Sequence, residues 1–301
     1  LAALPLQDKV ELTRRRVRAF YERFDGQVYV SYSGGLDSTV LGEIVRRDFP
    51  DVPRVFFDTG LEYPENRRQA KAADAVCVRP NKTFAQVIER YGYPVISKRI
   101  AQYIFEVRNA RGETATVRQR LGGPGPDGKK HHMRAIPASL RFMLAAPYLI
   151  SHKCCGFLKH GPAFRYERET GRSPIIGVRA DEGHERKKTW ERFGCNVIDG
   201  PRPRSWPMAF WTDADVRAFI AAEGVRYSEL YDMGYRRSGC YACCFGCHLE
   251  PKPGRFAVMK ESHPKLYRFC MDRLGLARVL DYYLGGYKAP LLRMCGQGGD
   301  E

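Results

Sequence analysis

No stretch of this chain approaches the roughly 20 consecutive apolar residues that a bilayer-spanning helix requires, so a transmembrane protein is not expected. The opening segment LAALPLQDKVELTRRR lacks a basic stretch followed by an apolar one, so it does not read as a secretory leader. The expectation is a soluble, cytoplasmic protein with no membrane partner. No internal repeat is visible, which removes solenoids and propellers. Acidic charge is also short: 34 Asp and Glu stand against 50 Lys and Arg, a net charge of +16. That surplus suits a polyanion, either nucleic acid or a phosphorylated small molecule, although a solubilising surface would look the same. Disulfides are a further expected absence, because the ten cysteines would stay unpaired in a reducing compartment.

What is present supports a folded core. A hydrophobic content of 44% over 301 residues is enough for one large α/β domain with an appended region, or for two small domains. Val10, Val17, Phe20, Tyr21 and Phe24 fall near one face of a helix over 8–24, with Arg14 to Arg16 mostly outward. Val28 to Tyr32 reads as a strand, 38–47 as a helix, RVFFDTG (54–60) as a strand ending in a turn, 64–74 as a helix opened by Pro64, and AVCVRP (75–80) as a third strand. SPIIGVRADE (173–182) reads as a further strand. Strands alternating with helices predict a doubly wound, mostly parallel sheet. The segment RLGGPGPDGKKHHMR (120–134) breaks the pattern and reads as a mobile basic loop, with His131 and His132 solvated. The expected organisation is an N-terminal helix (1–24), a nucleotide-binding α/β domain (25–205) and a cysteine-rich, helical C-terminal region (206–301).

Between the first strand and its helix lies SGGLDS, residues 33–38. A glycine-rich loop there lets the backbone approach an anion, while amides and the positive helix end point at it. A Walker loop is absent, since no Gly-Lys-Ser/Thr follows a longer loop. The segment instead resembles the PP-loop of ATP pyrophosphatases. That resemblance assigns Ser33, Gly34, Gly35, Asp37 and Ser38 to phosphate and Mg2+ handling.

FFDTGLEYPE (56–65) would place Asp58, Thr59 and Gly60 at the carboxyl edge of the sheet, where open α/β sheets bind ligands. With GVRADEGHER (177–186), PMAFWTDADVRAFI (207–220) and YSELYDMGYRRSGCYAC (227–243), the chain resembles the phosphoadenosine phosphosulfate reductase family of adenine nucleotide alpha-hydrolases, over roughly residues 25–250. Gly183 stands where that family usually has serine. The resemblance implies an adenine nucleotide held also by Gly177, Arg179 and Arg186, whose guanidinium forks suit phosphate or sulfate oxygens, with Lys159 as an added point charge. Asp181 and Glu182 are expected to partner these cations, Glu182 alternatively helping to hold a metal.

The cysteines fall into CC at 154–155 and CYACCFGC at 240–247, with Cys77, Cys195, Cys270 and Cys295 scattered. The first three of these are expected to be small buried residues. Cys154, Cys155, Cys240 and Cys243 could hold zinc or a 4Fe-4S cluster, and spacing does not choose. The likeness to assimilatory adenylylsulfate reductases, with their CC…CxxC arrangement, implies 4Fe-4S near the nucleotide. Cys244 and Cys247 offer two more sulfurs: either one replaces an assigned ligand, or the cluster keeps an open iron.

Three functions follow from the resemblance. One is ATP cleavage between the α and β phosphates to adenylylate a substrate for sulfur transfer, on tRNA or DNA, with a sulfur or electron donor protein. A second is release of sulfite from adenylylsulfate or its 3′-phosphorylated form, which needs a nucleophilic thiolate. The family carries it in a Glu-Cys-Gly-x-His tail, and here RMCGQGG retains Cys295 but neither the glutamate nor the histidine. A third is a non-catalytic nucleotide-binding module of a DNA-modification or defence complex. Asp37, Arg179 and Cys295 are the candidate catalytic residues.

Overall fold

The computed structural model of the protein describes residues 1–295, with side chains described through Gly286. By compactness the chain forms two units, each discontinuous in sequence: Leu1–Asn81 with Lys159–Gly239, and Lys82–Leu158 with Cys240 onward. In chain order the strands are β1 (Val28–Tyr32), β2 (Arg54–Phe57), β3 (Val76–Val78), β4 (Val95–Ile96), β5 (Ser173–Ile176), β6 (Asn196–Val197), β7 (Arg204–Ser205) and β8 (Cys244–Phe245).

The first unit is built on a sheet of order β3-β2-β1-β5-β7-β6. Every pairing is parallel except β6 with β7. This is the α/β architecture expected from alternating strands and helices. The chain leaves β1 toward β2 on one side and reaches β5 on the other, so β1 and β5 flank a topological switch point, where such sheets open a crevice beyond their carboxyl ends. Helix α1 (Leu6–Arg23) and helix α2 (Leu36–Asp48) pack on this sheet. Val17, Phe20, Val30, Leu41, Ile44, Ile175 and Trp211 are buried together in one core, each contributing about 1.5–3 kcal/mol by leaving water.

The face of α1 that is buried also runs through two polar residues. Lys9 is 2% exposed and its Nζ lies 2.6 Å from Asp215 Oδ2; Thr13 accepts a hydrogen bond from Trp211 Nε1 at 2.9 Å. Periodicity of apolar residues alone misses both. The strand expected over 173–182 is shorter than predicted. The ladder stops at Ile176, and Ala180–Glu182 form a 3-10 turn, because the Ala180 N–H is drawn out of the sheet to Ala209 O at 2.8 Å. Cys195 and Cys270 are buried as expected, but Cys77 is exposed. It sits on β3, the edge strand of the sheet, where only one neighbour covers the chain.

The second unit has a smaller ladder, β4 paired in parallel with β8. The segment Tyr93–Ile96 is bonded on both flanks. Tyr93 N–H donates to Leu149 O at 2.8 Å and Ser151 N–H to Tyr93 O at 3.1 Å, while Gly246 N–H donates to Ile96 O at 2.7 Å. One short strand therefore grips the chain just before Cys154 and the chain just after Cys243. The 120–134 segment is internally bonded rather than featureless. Gly125 N–H donates to Lys129 O at 2.9 Å, Arg120 Nη1 to Arg134 O at 3.0 Å, and His131 Nε2 pairs with Asp127 at 2.6 Å. Among the described residues no helix is long and apolar enough to cross a membrane.

Candidate functional site

The SGGLDS loop leaves β1 and enters α2 through a network of its own hydroxyls. The Ser33 N–H donates to Ser38 Oγ at 3.1 Å, Ser38 Oγ–H donates to Gly35 O at 3.0 Å, and Gly35 N–H donates to Ser33 Oγ at 3.2 Å. The two serines thus shape the loop, and the first-turn N–H groups other than that of Leu36, which is given to the Tyr231 hydroxyl, are those an anion would meet. Gly34 has φ +74°, and a Cβ there would stand 2.9 Å from the Asn66 carbonyl oxygen, so both conformation and space require glycine. Gly177, one residue past β5, is needed for a different reason. A Cβ would sit 3.0 Å from the carbonyl carbon and oxygen of Asp37 and 3.1 Å from the Ser38 nitrogen. The end of β5 is thereby pressed against the first turn of α2, and the two halves of the switch point close on one place.

The charges around this place form a compact set. Arg179 is 8% exposed. Its Nε lies 2.7 Å from Asp37 Oδ1, its Nη1 2.8 Å from Asp181 Oδ2, and its Nη2 3.4 Å from Asp213 Oδ1. The Asp37 contact is close but out of line, so it is an ion pair without an aligned hydrogen bond, and Asp37 Oδ1 is buried with no aligned donor among the described residues. Burial pushes the Asp37 carboxyl above its usual range; Arg179 opposes this and the carboxylates of Asp181 and Asp213 reinforce it. Arg186 pairs with Glu182. Burial lowers its pKa, with Arg237 and Arg179 adding repulsion against the pull of Asp37 and Asp181. The expected pairing of Asp181 and Glu182 with the arginines is what the structure shows.

The second motif divides its labour. Asp58 is 4% exposed: it accepts from Gly60 N–H at 3.0 Å and from Arg67 Nη2 at 3.0 Å, and pairs with Arg79 at 3.4 Å. Thr59 Oγ1–H donates to Glu62 Oε1 at 2.9 Å and accepts from Leu61 N–H at 3.1 Å. Gly60, at φ +83°, has nothing within 4 Å of where a Cβ would stand, so the backbone there faces open space. Half-buried Lys159 lies near buried Glu62. Burial raises the Glu62 pKa, Lys159 and Thr59 lower it, and Asp58 raises it, with a net rise. The native state therefore holds this proton more tightly than the unfolded chain does. Stability contributed by Glu62 is lost as pH rises from the ordinary value of 4.5 through the higher native one. Glu62→Gln is expected to flatten the fall of Tm between about pH 4 and 7; thermal melts in which the variant falls more steeply than the parent would contradict this.

Several contributors were not singled out from sequence. Tyr231 accepts from Leu36 N–H at 3.3 Å. Burial raises its phenol, opposed by a hydrogen bond with Ser238 and the Leu36 amide. Asn66, fully buried, accepts from Ser228 Oγ at 2.8 Å and backs Gly34. Asp213 and Arg237 complete the charge set. The only sequence signal for Asp213, Tyr231, Arg237 and Ser238 was their inclusion in 207–220 and 227–243.

In the second unit the cysteines gather from two chain segments. Cys154 Sγ is 3.9 Å from Cys155 Sγ. The Cys154 thiol is driven well above its usual range by that hydrogen bond, by burial, and by Cys155, Cys243 and Cys240 around it. Cys243 N–H donates to Cys240 O at 3.1 Å, closing the CxxC turn. Buried Cys244 is raised by burial and by Cys247 and Cys243, and Cys247 is pushed up to about 11 by burial. Arg255 braces the segment, donating to Cys243 O at 3.1 Å and Phe245 O at 3.0 Å and pairing with Glu250. Among the described residues no three His, Cys, Asp or Glu side chains converge as ligands of one metal ion. The four assigned thiols are gathered but not caged, and soft sulfur donors in that number fit a zinc ion and an iron–sulfur cluster alike. The side chain of Cys295 lies outside the described residues.

Comparison with known proteins places the chain in a family. The phosphoadenosine phosphosulfate reductase domain matches residues 27–99 and 129–245. An uncharacterized protein of Methanocaldococcus jannaschii is 24% identical over 280 residues, 89% of this chain and 54% of that protein, so the chain spans about half the length of that relative. The adenosine 5′-phosphosulfate reductase of Bacillus velezensis is 24% identical over 224 residues, covering 74% of this chain and 76% of the enzyme. A phosphoadenylyl-sulfate reductase from Candida auris, solved as a phosphate complex, superposes with a TM-score of 0.44 at 17% identity, over 77% of this chain and 87% of that one. With the domain match covering more than half of its residues, the chain belongs to the phosphoadenosine phosphosulfate reductase domain family.

Proposed function

We propose that this chain binds ATP at the rim of the first unit's sheet and cleaves it between the α and β phosphates, activating a nucleic-acid acceptor for sulfur transfer. The observation that carries the reading is the junction of Gly34, Gly177 and the Asp37–Arg179 pair at the switch point. In this reading the amides at the start of α2 hold the phosphates. Asp37, whose Oδ1 has no aligned donor among the described residues, would supply one oxygen to the Mg2+ that accompanies the nucleotide, the phosphates supplying others, while Asp181 and Asp213 keep Arg179 in place. Arg186 and Arg237 supply positive charge to the departing pyrophosphate. An acceptor oxygen attacks the α-phosphorus as its bond to the bridging oxygen breaks, leaving an adenylylated acceptor. A sulfide-level donor then forms the carbon– or phosphorus–sulfur bond as AMP leaves. Cys154, Cys155, Cys240 and Cys243 would hold a 4Fe-4S cluster, which when bound supplies redox or sulfide-binding chemistry.

A second reading, sulfite release from adenylylsulfate, is favoured by the extent of the match to the Bacillus velezensis enzyme. One assay separates the two. The expected result is pyrophosphate released from ATP and Mg2+ in a manner dependent on added tRNA or DNA. Sulfite formed from adenylylsulfate and a thiol donor, with no pyrophosphate from ATP, replaces the first reading with the second.

A further inference from the structure

The second unit carries a strip of rings and cations that neither the nucleotide loop nor the thiols use. Tyr91 and Phe157 stack with centroids 4.9 Å apart and planes 18° from parallel. Lys82 Nζ lies over Phe157 at 4.9 Å and over Tyr91 at 5.8 Å. Lys153 Nζ lies over Tyr91 at 5.0 Å and over Phe105 at 4.7 Å. Exposed Arg90 stands over Tyr91 at 5.4 Å. The three rings and both lysines are half-buried. Among the described residues neither lysine pairs with a carboxylate. The strip also borders the cysteines in sequence, since Lys153 and Phe157 flank Cys154 and Cys155.

Rings that serve packing alone are ordinarily covered by apolar neighbours, and surface lysines ordinarily sit near acids. Here partly open rings alternate with lysines that have no anionic partner, in a chain of net charge +16. Ring faces accept bases of any sequence, and interleaved cations track a phosphate backbone. A duplex cannot use the ring faces, because its bases already stack on one another. We infer that the Lys82–Phe157–Tyr91–Lys153–Phe105 strip is the track for an unpaired nucleic-acid strand, with bases on the rings and phosphates on the lysines and Arg90. The inference rests on the proposed function for what happens to the strand, and it names where the acceptor is held.

The test is fluorescence anisotropy of the full chain, without nucleotide, on a labelled unpaired oligonucleotide of about 15 nucleotides, a length within the reach of single-strand sites. RNA and DNA versions of it, and the duplex of the same sequence, are measured in parallel. The unpaired strand is expected to bind more tightly than the duplex, and the better of RNA and DNA names the acceptor. Tyr91→Leu and Phe157→Leu keep apolar bulk but remove the stacking face, and each is expected to weaken binding about 5- to 100-fold. Lys82→Ala removes one cation of the strip and is expected to reduce the slope of log affinity against log salt by about one. Thermal melts check folding, and the lysine variant keeps the test decisive should a ring variant unfold. Equal binding of duplex, ring variants that bind as the parent does, or competition by poly-glutamate as effective as by the strand itself would overturn the track. The two proposals fail separately. A chain that binds the strand but releases no pyrophosphate from ATP sinks the activation reaction alone, and release of pyrophosphate without strand affinity sinks the track alone.

Discussion

Arg179→Ala is expected to abolish nucleotide-dependent pyrophosphate release, by about 100-fold or more, and to destabilise the first unit by about 3–5 kcal/mol. The guanidinium is buried and is shared by Asp37, Asp181 and Asp213. Without it, half-buried Asp37 loses its nearest cation, while Asp181 and Asp213, which are open to water, are less affected. The Asp37 carboxyl, already raised by burial, loses the nearest charge that opposes the shift and keeps only the pull of Arg186. The sign of the pH dependence follows. In the variant a protonated Asp37 is the tolerable form, so the destabilisation shrinks as pH falls through the raised Asp37 pKa and grows above it. Urea melts at several pH values, with pyrophosphate release measured where the variant is still folded, separate the structural effect from the chemical one. Arg179→Lys is expected to fall between, because a single ammonium cannot reach all three carboxylates in the way a planar fork does. A folded Arg179→Ala chain that releases pyrophosphate within twofold of the parent would remove Arg179 from the chemistry.

How far these features could be read from sequence depended on whether they are local. The β1–loop–α2 unit was legible because each part announces itself within ten residues: a strand-forming run, two glycines and a helical periodicity. The identity of Arg179 as a candidate came from a local block, but its three carboxylate partners come from 37, 181 and 213, and only the fold puts them together. Asp58 shows a different gap. Its motif is local, but its partners Arg67 and Arg79 and the Gly60 amide are not announced by that motif. Lys9 was hidden for a related reason. Its burial depends on Asp215, 206 residues away, and no apolar pattern signals an ion pair. The cysteines were conspicuous by count and spacing, yet the two segments that carry them are held by backbone contacts on both flanks of Tyr93–Ile96, a segment with no distinguishing composition.

Those backbone contacts sharpen the second large expectation, which concerns Cys240 and Cys243. Because the chain on either side of the thiols is held by main-chain bonds to Tyr93–Ile96 and braced by Arg255, replacing one thiol leaves the scaffold in place and changes only the donor. Serine is a harder and weaker donor to iron than a thiolate. Anaerobically purified parent is expected to hold about four irons and as much labile sulfide per chain, as a 4Fe-4S centre requires. Cys240→Ser and Cys243→Ser are expected to lose nearly all of both while keeping their thermal unfolding transition. Cys77→Ser, on an exposed edge strand, serves as the control and is expected to retain full iron. The remaining sulfurs then become distinguishable. Cys154→Ser and Cys155→Ser should strip the iron, whereas Cys244→Ser and Cys247→Ser should not, since Cys244 is buried beside β4 and Cys247 closes a turn onto Cys244 O at 3.2 Å. Iron retained in Cys155→Ser but lost in Cys247→Ser would move the fourth ligand to Cys247, and colourless parent with stoichiometric zinc would replace the cluster by a single tetrahedral ion.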